Sequence, residues 1–327
     1  MKVLITGGAG FIGFNLAREL SARSHEVTLI DNFARGARDA ELSSFLDGTG
    51  RRLLDADLLK RGSLGGLPAD YGAIVHLAAI LGVENVSREP LRVLRDNMEM
   101  TLEVLEFARC QTGLRRFVFA STSEVYAGTL ENYGLVFPTP ESTPLALTDL
   151  GAPRTSYMLS KIYGEALVRQ SGLPFTILRP HNVYGPRMGH SHVVPQLMRR
   201  IWSAPEGAEV VVYSPEHRRT FCFAADAARL AAAALETAAC AGETLNLGNG
   251  EPEIGMFRLA EMIGAAVGRK VSFVRGPVTA GSPVRRQPDI SRIVALTGCR
   301  PEVGLEEGLG LTFAWYRDRA WAQPAAR

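Results

Sequence analysis

The sequence is poor in cysteine, and its four cysteines are widely spaced at Cys110, Cys222, Cys240 and Cys299. None forms a CxxC pair or stands in a cluster with histidines, so the pattern predicts neither a disulfide framework nor a metal site. This cysteine usage is typical of a reducing compartment, and we expect the protein in the cytoplasm.

An excess of charge and long apolar runs are also absent. The 327 residues include 36 basic and 34 acidic ones, which leaves a net charge of +2, and no run of five like charges occurs. This balance argues against a nucleic-acid or membrane-surface partner. No apolar stretch approaches the roughly 20 residues of a membrane-spanning helix. The apolar start at residues 3–5 is too short for the core of a signal peptide.

What is present is a globular composition, 46% hydrophobic and 21% charged, at a length that suits about two domains. Apolar runs alternate with helical segments through the first 180 residues. Five runs are predicted strands: Lys2–Thr6, Glu26–Ile30, Ala73–Leu77, Phe117–Ala120 and Phe175–Leu178. Such strands predict an α/β fold, a Rossmann-type doubly wound parallel sheet that binds ligands at the strand C-termini.

Two long helices are predicted in this region, over Leu91–Gln111 and Ser156–Gln170. Beyond Pro180, prolines and glycines interrupt the pattern, which favours a smaller and irregular C-terminal lobe. We therefore predict a sheet domain over residues 1–180, to which residues 219–248 return, and a second lobe over residues 181–327.

A glycine-rich turn, TGGAGFIG over residues 6–13, directly follows the first predicted strand and opens a helix. Such a turn lets the backbone approach a pyrophosphate at the helix N-terminus. Asp31 ends the second strand 18 residues after the last glycine, where its carboxylate can accept hydrogen bonds from a ribose diol. An acid there repels a 2′-phosphate and so predicts NAD, while Arg35 nearby keeps NADP open. The candidate pyrophosphate contacts are Gly7, Gly10, Phe11, Ile12 and Gly13.

Residues after the later strands extend the predicted cofactor site. Asp57 stands where the chain returns beside the adenine, although an ordinary loop acid fits that position equally well. Small residues follow His76, which we interpret as a packing residue, and let a dinucleotide pass close to the backbone. Asn97, on a long helix, is either a polar face residue or a hydrogen-bond anchor for the neighbouring strand. The further cofactor candidates are Asn32, Asp57, Leu58, Leu77, Ala78, Ala79, Asn97, Tyr157 and Lys161.

Tyr157 and Lys161 stand four residues apart on a predicted helix and therefore share one face. A phenol that accepts a proton near neutrality must have its pKa lowered from about 10, and a nearby ammonium in a desolvated site can do this. Only four of the 36 basic residues are lysines. A compact ammonium can both tune a phenol and bond a ribose, whereas the arginine fork is bulky.

The segment STSEVY, over residues 121–126, follows the strand Phe117–Ala120, at the edge where catalytic groups of such sheets gather. Thr122 can hydrogen-bond a substrate hydroxyl beside Tyr157, although a turn-forming hydroxyl explains it equally. Glu124 can act as an acid or base or orient a bound sugar, and its alternative is an exposed loop glutamate.

The motifs TGGAGFIG, DNF, HLAA, STSEVY, YMLSK and RPHNVYGPRMG occur in this order. Over nearly its full length the sequence resembles the extended short-chain dehydrogenase/reductase family, the nucleotide-sugar epimerases, dehydratases and decarboxylases. The resemblance implies that residues 1–180 bind NAD, that residues 181–327 bind a nucleoside diphosphate sugar, and that two copies pair through the long helices.

The resemblance also implies a reaction. Tyr157 takes the proton of the sugar C4 hydroxyl as hydride passes to NAD, Lys161 holds the ribose and lowers the pKa of Tyr157, and Thr122 bonds the same oxygen. The 4-keto intermediate then loses carbon dioxide, loses water, or takes hydride back on its other face. NAD is regenerated and stays bound in each case.

Glu124 and Arg286 bear on which reaction follows. The Thr-Ser-Glu triplet is similar to that of uronate decarboxylases and of some 4,6-dehydratases, and RRQPDI over residues 285–290 resembles a decarboxylase segment in which Arg286 matches a catalytic-site arginine. A UDP-glucuronate decarboxylase-like reaction is therefore favoured, with 4,6-dehydration and 4-epimerisation as alternatives. The candidate substrate contacts are Ser123, Asn182, His192, Arg219 and Arg286.

Several positions keep other readings open. His181 stands where an aromatic or small residue is usual, and His192 stands where glucuronate decarboxylases are expected to carry arginine. Asn182 and Arg219 match residues that hold the diphosphate and nucleotide, although Arg219 could be a surface charge. Outside this chemistry, a noncatalytic NAD-binding sensor or a net reductase that releases its cofactor could use the same fold.

Overall fold

The computed structural model describes residues 1–279 and 281–321. In chain order the strands are β1 (Lys2–Thr6), β2 (Glu26–Asp31), β3 (Arg51–Asp55), β4 (Ala73–His76), β5 (Arg116–Ala120), β6 (Phe175–Pro180), β7 (Val183–Tyr184), β8 (Glu209–Val212), β9 (Arg218–Arg219), β10 (Cys222–Phe223), β11 (Glu243–Leu247), β12 (Ile254–Gly255), β13 (Ser272–Arg275) and β14 (Arg285–Arg286). The α-helices are α1 (Phe11–Ala22), α2 (Ala40–Leu46), α3 (Val83–Arg88), α4 (Pro90–Arg109), α5 (Ala127–Tyr133), α6 (Pro153–Gln170), α7 (Val193–Ser203), α8 (Ala224–Glu236), α9 (Met256–Val267), α10 (Ser291–Thr297) and α11 (Leu305–Trp315). Two 3₁₀ helices cover Ser123–Tyr126 and Ala238–Cys240, and a π-helical segment covers Tyr316–Trp321.

Seven strands form the central sheet, in the order β11-β6-β5-β4-β1-β2-β3, and every neighbouring pair is parallel. The predicted Rossmann-type α/β fold is confirmed, and the five predicted strands correspond to β1, β2, β4, β5 and β6. The chain reverses its direction of travel across the sheet between β1 and β4. In sheets of this kind that point opens a crevice at the strand C-termini.

Two strands of the central sheet, β3 and β11, were missing from the sequence prediction, and both are edge strands. β3 begins with Arg51 and Arg52, and none of its five residues is fully buried, as is typical of an edge strand. The Arg51 guanidinium lies 4.7 Å from the centroid of the Phe45 ring and donates to the Ser21 hydroxyl, so charged side chains serve as cover. β11 forms the opposite edge and pairs with β6.

Helices cover both faces of the sheet. On one face α1 packs against α8, and their apolar sides join the sheet in a core that includes Phe14, Leu20 and Leu230. On the other face α4 packs against α6. These two helices begin one and three residues earlier than predicted because each has proline in its first turn, where the missing N–H costs nothing.

The remaining elements form smaller sheets beside the C-terminal ends of the central strands. β7 pairs with β10, β9 lies between β12 and β14, and β8 pairs with β13. A separate apolar core holds α7, α9 and α11 together and includes Leu197, Leu259 and Leu309. Over the ranges 1–279 and 281–321, no helix combines the length and apolar character required to cross a bilayer.

Candidate active site

The glycine-rich loop between β1 and α1 forms a cradle of backbone. Gly7 has φ +68°, which favours glycine, and a Cβ on Gly13 would lie 2.2 Å from the Gly7 carbonyl oxygen. The Phe14 N–H makes the first helical bond, to the Gly10 carbonyl at 2.9 Å. The N–H groups of Phe11, Ile12 and Gly13 precede it and have no helical acceptor. The loop therefore fits an anionic pyrophosphate at a helix N-terminus.

The opposite end of the crevice is polar. Asp31 is buried, and its carboxylate accepts from the Ala9 N–H at 3.0 Å and from the Phe33 N–H at 2.8 Å, which ties the glycine loop to the end of β2. A carboxylate has about four acceptor sites, so room for ribose hydroxyls remains. Asn32 and Asp57 line a cleft beside it. The Leu58 side chain, in contrast, is buried in the core, so only its backbone can face a cofactor.

The loop after β4 lies against the glycine loop. A Cβ on Gly7 would be 2.9 Å from the Ala78 nitrogen, so the segment Leu77–Ala79 forms a second wall of backbone. Asn97 holds this loop in place, because its amide accepts from the Ile80 N–H at 2.7 Å and donates to the Ile80 carbonyl at 3.0 Å. The anchoring alternative for Asn97 is the one observed.

His76 is buried beneath this wall. Its ring nitrogens lie 2.8 Å from the Thr6 hydroxyl and 3.3 Å from the Thr101 hydroxyl. Burial, with a smaller effect of the Lys161 charge, lowers the pKa of His76 to about 3. His76 is therefore a neutral packing residue.

Tyr157 and Lys161 lie on α6 with their side chains facing the end of β5. Burial is the main cause that raises the pKa of Tyr157 to about 12, and the Glu124 charge adds to it, while a hydrogen bond with Thr122 and the charge of Arg35 oppose the rise. The Lys161 Nζ lies 5.9 Å from the centroid of the Tyr157 ring. The predicted lowering of the Tyr157 pKa is therefore wrong for this geometry: burial sets the direction of the shift, and Lys161 is not among the groups that oppose it.

Lys161 is held by the same strand end. Its ammonium donates to the Ala120 carbonyl at 2.8 Å, and burial lowers the pKa of Lys161 to about 8 against the attraction of Glu165. Glu165, one helical turn later, accepts from the Ser121 hydroxyl at 2.6 Å and forms a buried ion pair with Arg179 at 2.7 Å. Lys161 and Glu165 therefore fix two consecutive residues immediately before Thr122.

Glu124 is clamped by two arginines. Its Oε1 lies 2.5 Å from an Arg286 Nη2, and its Oε2 lies 3.5 Å from an Arg154 Nη2. Burial raises the pKa of Glu124, but the charges of Arg286 and Arg154 more than offset this, so the net pKa lies below its ordinary value. The alternative of an unpaired, exposed loop glutamate is therefore wrong.

Arg154 and Arg35 were not predicted as parts of the reaction centre. Arg154 stands three residues before Tyr157, and this spacing was the available signal, because such residues share a helix face. Arg35 was considered only for NADP, yet its charge acts on Tyr157 and lowers the pKa of His192. A Cβ on Gly189 would lie 3.8 Å from the Arg35 Nη2 and 3.6 Å from the His192 ring, so Arg35 reaches across the crevice from the end of β2 to the start of α7.

The two predicted diphosphate contacts, Asn182 and Arg219, both donate to backbone carbonyls, but in different segments. Asn182 has φ +40° between β6 and β7 and donates to the Thr220 carbonyl at 2.9 Å. Arg219 is buried and donates to the carbonyls of Arg218 at 2.7 Å and Val284 at 3.1 Å and to the Pro283 carbonyl. The surface-charge alternative for Arg219 is wrong, since its guanidinium holds the segment that leads into Arg286.

The remaining substrate candidates lie on two sides of this clamp. Ser123 and Arg286 line a small cavity together. His192 precedes α7 at its N-cap, and burial together with the Arg35 charge lowers its pKa. The structure thus brings Thr122, Ser123, Glu124 and Arg286 together, with His192 near Arg35.

Comparison with known proteins yields one family and several relatives. A model of the NAD dependent epimerase/dehydratase family matches residues 3–248. A UDP-N-acetyl-alpha-D-glucosaminuronate decarboxylase of Bacillus cytotoxicus is 31% identical over 97% of this chain and 98% of its own length. A dTDP-glucose 4,6-dehydratase of Streptomyces niveus is 30% identical over 99% of this chain and 95% of its own.

A solved structure is also similar to this chain over nearly its full length. The UDP-glucuronic acid 4-epimerase of Bacillus cereus, in complex with UDP-glucuronic acid and NAD, has a TM-score of 0.81 and 26% identity, and the match covers 97% of this chain and 99% of that one. Decarboxylases, dehydratases and epimerases are thus all among the proteins to which this chain is similar.

Proposed function

Because this chain belongs to the NAD-dependent epimerase/dehydratase family, we propose that it binds NAD and modifies the sugar of a nucleoside diphosphate sugar through a transient 4-keto intermediate. The free N–H groups at the start of α1 would hold the pyrophosphate, and Asp31 would accept from the adenosine ribose. An acid at Asp31 favours NAD over NADP by charge repulsion of a 2′-phosphate. Residues 181–327, with Asn182 and His192, would hold the nucleotide sugar against the sheet domain.

When bound, NAD supplies a reversible hydride acceptor. Tyr157 accepts the proton of the C4 hydroxyl as that carbon is oxidised, and Thr122 hydrogen-bonds the same oxygen. The Lys161 ammonium donates one hydrogen bond to the Ala120 carbonyl, and its other two N–H groups can donate to the cofactor ribose. Because the pKa of Tyr157 is raised here, its side chain can accept this proton only if positive charge beside it stabilises the phenolate before the transfer.

We propose decarboxylation as the leading reaction, and the observation that supports it best is the contact between Glu124 and Arg286. These residues lie 162 apart in the chain, and their side chains meet at 2.5 Å beside Tyr157. With Arg154 included, two guanidinium groups surround one carboxylate, and this excess positive charge would attract a sugar carboxylate. Loss of carbon dioxide beside a 4-keto group leaves an enolate that an adjacent acid can protonate.

Dehydration is the main alternative, since a carboxylate beside the sugar can also remove a proton and release water. The similarity to a dTDP-glucose 4,6-dehydratase supports this reading. Epimerisation at C4 requires only Tyr157, Thr122 and Lys161, so it remains a further alternative.

A substrate panel tests the proposal. We expect the purified protein, incubated with UDP-, dTDP-, GDP- and CDP-sugars, to remove carbon dioxide from a UDP-uronate such as UDP-glucuronate, as detected by mass spectrometry and proton NMR. Heat-denatured protein serves as the control. Loss of water would replace the decarboxylase by a dehydratase, and an unchanged mass with a new C4 signal would replace it by an epimerase. Consumption of added reduced cofactor would indicate a net reductase, and NAD binding without any sugar conversion would indicate a binding module.

We further propose that two copies pair through α4 and α6. Leu91 and Leu102 on α4 are 76% and 41% exposed, and their spacing of 11 residues places them on one stripe of the helix. Tyr163 on α6 is also exposed. Exposed apolar side chains on adjacent helices are typical of a protein interface.

Sedimentation velocity tests this pairing. We expect a dimer, and we expect Leu102→Glu to shift it to a monomer because a charge would be buried in the interface. Leu311→Glu on α11, where the parent leucine is 49% exposed, is the matched control and should leave the dimer intact. A monomeric parent protein would contradict the proposal.

A further inference from the structure

A small cavity lies next to the Glu124–Arg286 contact. Ser123, His181 and Arg286 are among its lining residues, together with the aromatic rings of Tyr126 and Phe137. Its volume is about 20 Å³, which is enough for one water molecule or one substituent of similar size. Ser123 stands between Thr122 and Glu124 in the chain, so the cavity adjoins the reaction centre.

The hydrogen bonds of Asn246 determine the tautomer of His181. The Asn246 Nδ2 donates to the carbonyls of Thr139 and Asp289, each at 2.9 Å, so its Oδ1 can only accept. This Oδ1 receives the Tyr126 hydroxyl at 2.9 Å and lies 3.1 Å from Nε2 of His181. His181 must therefore carry its proton on Nε2, and its Nδ1 bears a lone pair.

That lone pair has no partner. His181 is only 2% exposed, and its buried Nδ1 makes no hydrogen bond within the described part of the chain. Burial and the nearby charge of Arg286 lower the pKa of His181 to about 3, so the ring stays neutral. A buried acceptor without a donor costs free energy, and native proteins rarely leave one unsatisfied.

We propose that this cavity is a subsite for one hydroxyl or hydroxymethyl group of the substrate sugar, which donates a hydrogen bond to Nδ1 of His181. The inference rests on the proposed function, since it assumes a nucleoside diphosphate sugar beside Thr122 and Glu124. It assigns His181 as a specificity-determining residue. An apolar side chain at this position would fill the same space but could not accept the hydrogen bond.

Two substitutions separate this role from a structural one. His181→Gln can place an amide N–H where Nε2 lies, which keeps the bond to Asn246, but it removes the acceptor at Nδ1. His181→Asn can place an amide oxygen where Nδ1 lies, which keeps the acceptor, but it loses the bond to Asn246. The proposal predicts that H181Q impairs sugar recognition, whereas a structural role predicts that H181N is the more damaging.

Calorimetric titration of the NAD-loaded protein with UDP, UDP-glucuronate and UDP-glucose provides the measurement. We expect H181Q to bind the preferred UDP-sugar about tenfold more weakly than the parent does, which corresponds to one hydrogen bond, and to bind UDP unchanged. H181N should bind both within about threefold of the parent, even if its melting temperature falls.

Unchanged sugar binding by H181Q would overturn the inference and leave a structural water as the occupant, while the proposed function would stand. A larger loss in H181N than in H181Q would also overturn it, in favour of a packing role. If the parent bound neither UDP-sugar more tightly than UDP, the subsite would be refuted, and the panel above would then show separately whether any nucleotide sugar is converted.

Discussion

Tyr157→Phe is expected to lower kcat for sugar conversion by about 10²–10⁴-fold, the usual contribution of a positioned general acid or base. The phenol is the only proton acceptor that the proposed reaction gives to the C4 hydroxyl. Its ring packs 5.9 Å from the Lys161 Nζ, and phenylalanine would retain this packing. The loss should therefore appear in kcat, measured by mass spectrometry of the product, with NAD affinity and the melting temperature nearly unchanged.

Tyr213→Phe is the matched control for this variant. Tyr213 directly follows β8, and its side chain is 53% exposed. It should keep full activity. A Tyr157→Phe enzyme that retained more than about a tenth of the parental kcat would assign the proton transfer to another group.

Arg286→Gln is expected to lower product formation by about 10²–10³-fold, the range seen when one preorganised charged donor is removed from an active site. The parent arginine lies 2.5 Å from Glu124 and is a main cause that keeps the pKa of that carboxyl low. Without it the pKa of Glu124 rises, so the carboxylate becomes protonated at a higher pH than in the parent. The loss should accordingly be larger at acidic than at neutral pH.

The first hydride transfer does not need Glu124, and this gives the variant a signature. Absorbance of the reduced cofactor should build up with substrate in Arg286→Gln, because the 4-keto sugar forms but proceeds slowly. Arg218→Gln is the control on the neighbouring strand β9, where the parent arginine pairs with Glu253 at 3.1 Å instead. Equal losses in the two variants would mean that the effect is general electrostatics or folding, and would refute a specific role for Arg286.

The sequence was sufficient for the parts of the molecule in which local pattern dictates structure. Five buried strands could be predicted because parallel strands covered on both faces are nearly all apolar. β3 was not predicted because a charged residue covers this edge of the sheet. Arg51 packs against Phe45, and long charged side chains can cover apolar surface in a way that a hydrophobic pattern does not reveal. Tyr157 and Lys161 were predictable as a pair because a helix fixes the geometry of residues four apart.

Long-range contacts were less accessible. Nothing local indicates that Arg219 turns inward to the carbonyls of Val284 and Pro283, since the same residue on an open strand would be a surface charge. Family resemblance assigned both Glu124 and Arg286 to the site, but nothing in the sequence indicated that these two side chains contact each other. The sequence predicted a lowered pKa for Tyr157, whereas burial raises it in the structure. Burial depends on the packed surroundings of the ring and not on the spacing to Lys161.

The distance along the chain between Glu124 and Arg286, 162 residues, has a consequence for synthesis. Proteins emerge from the ribosome N-terminus first, and their early regions begin to fold before the rest is made. The glycine loop, Asp31 and Tyr157 are all complete long before Arg286 is translated. A nascent chain can thus acquire its dinucleotide pocket early, whereas Glu124 gains its arginine partner only after 162 further residues have been made, so that the chemistry becomes available later than the pocket.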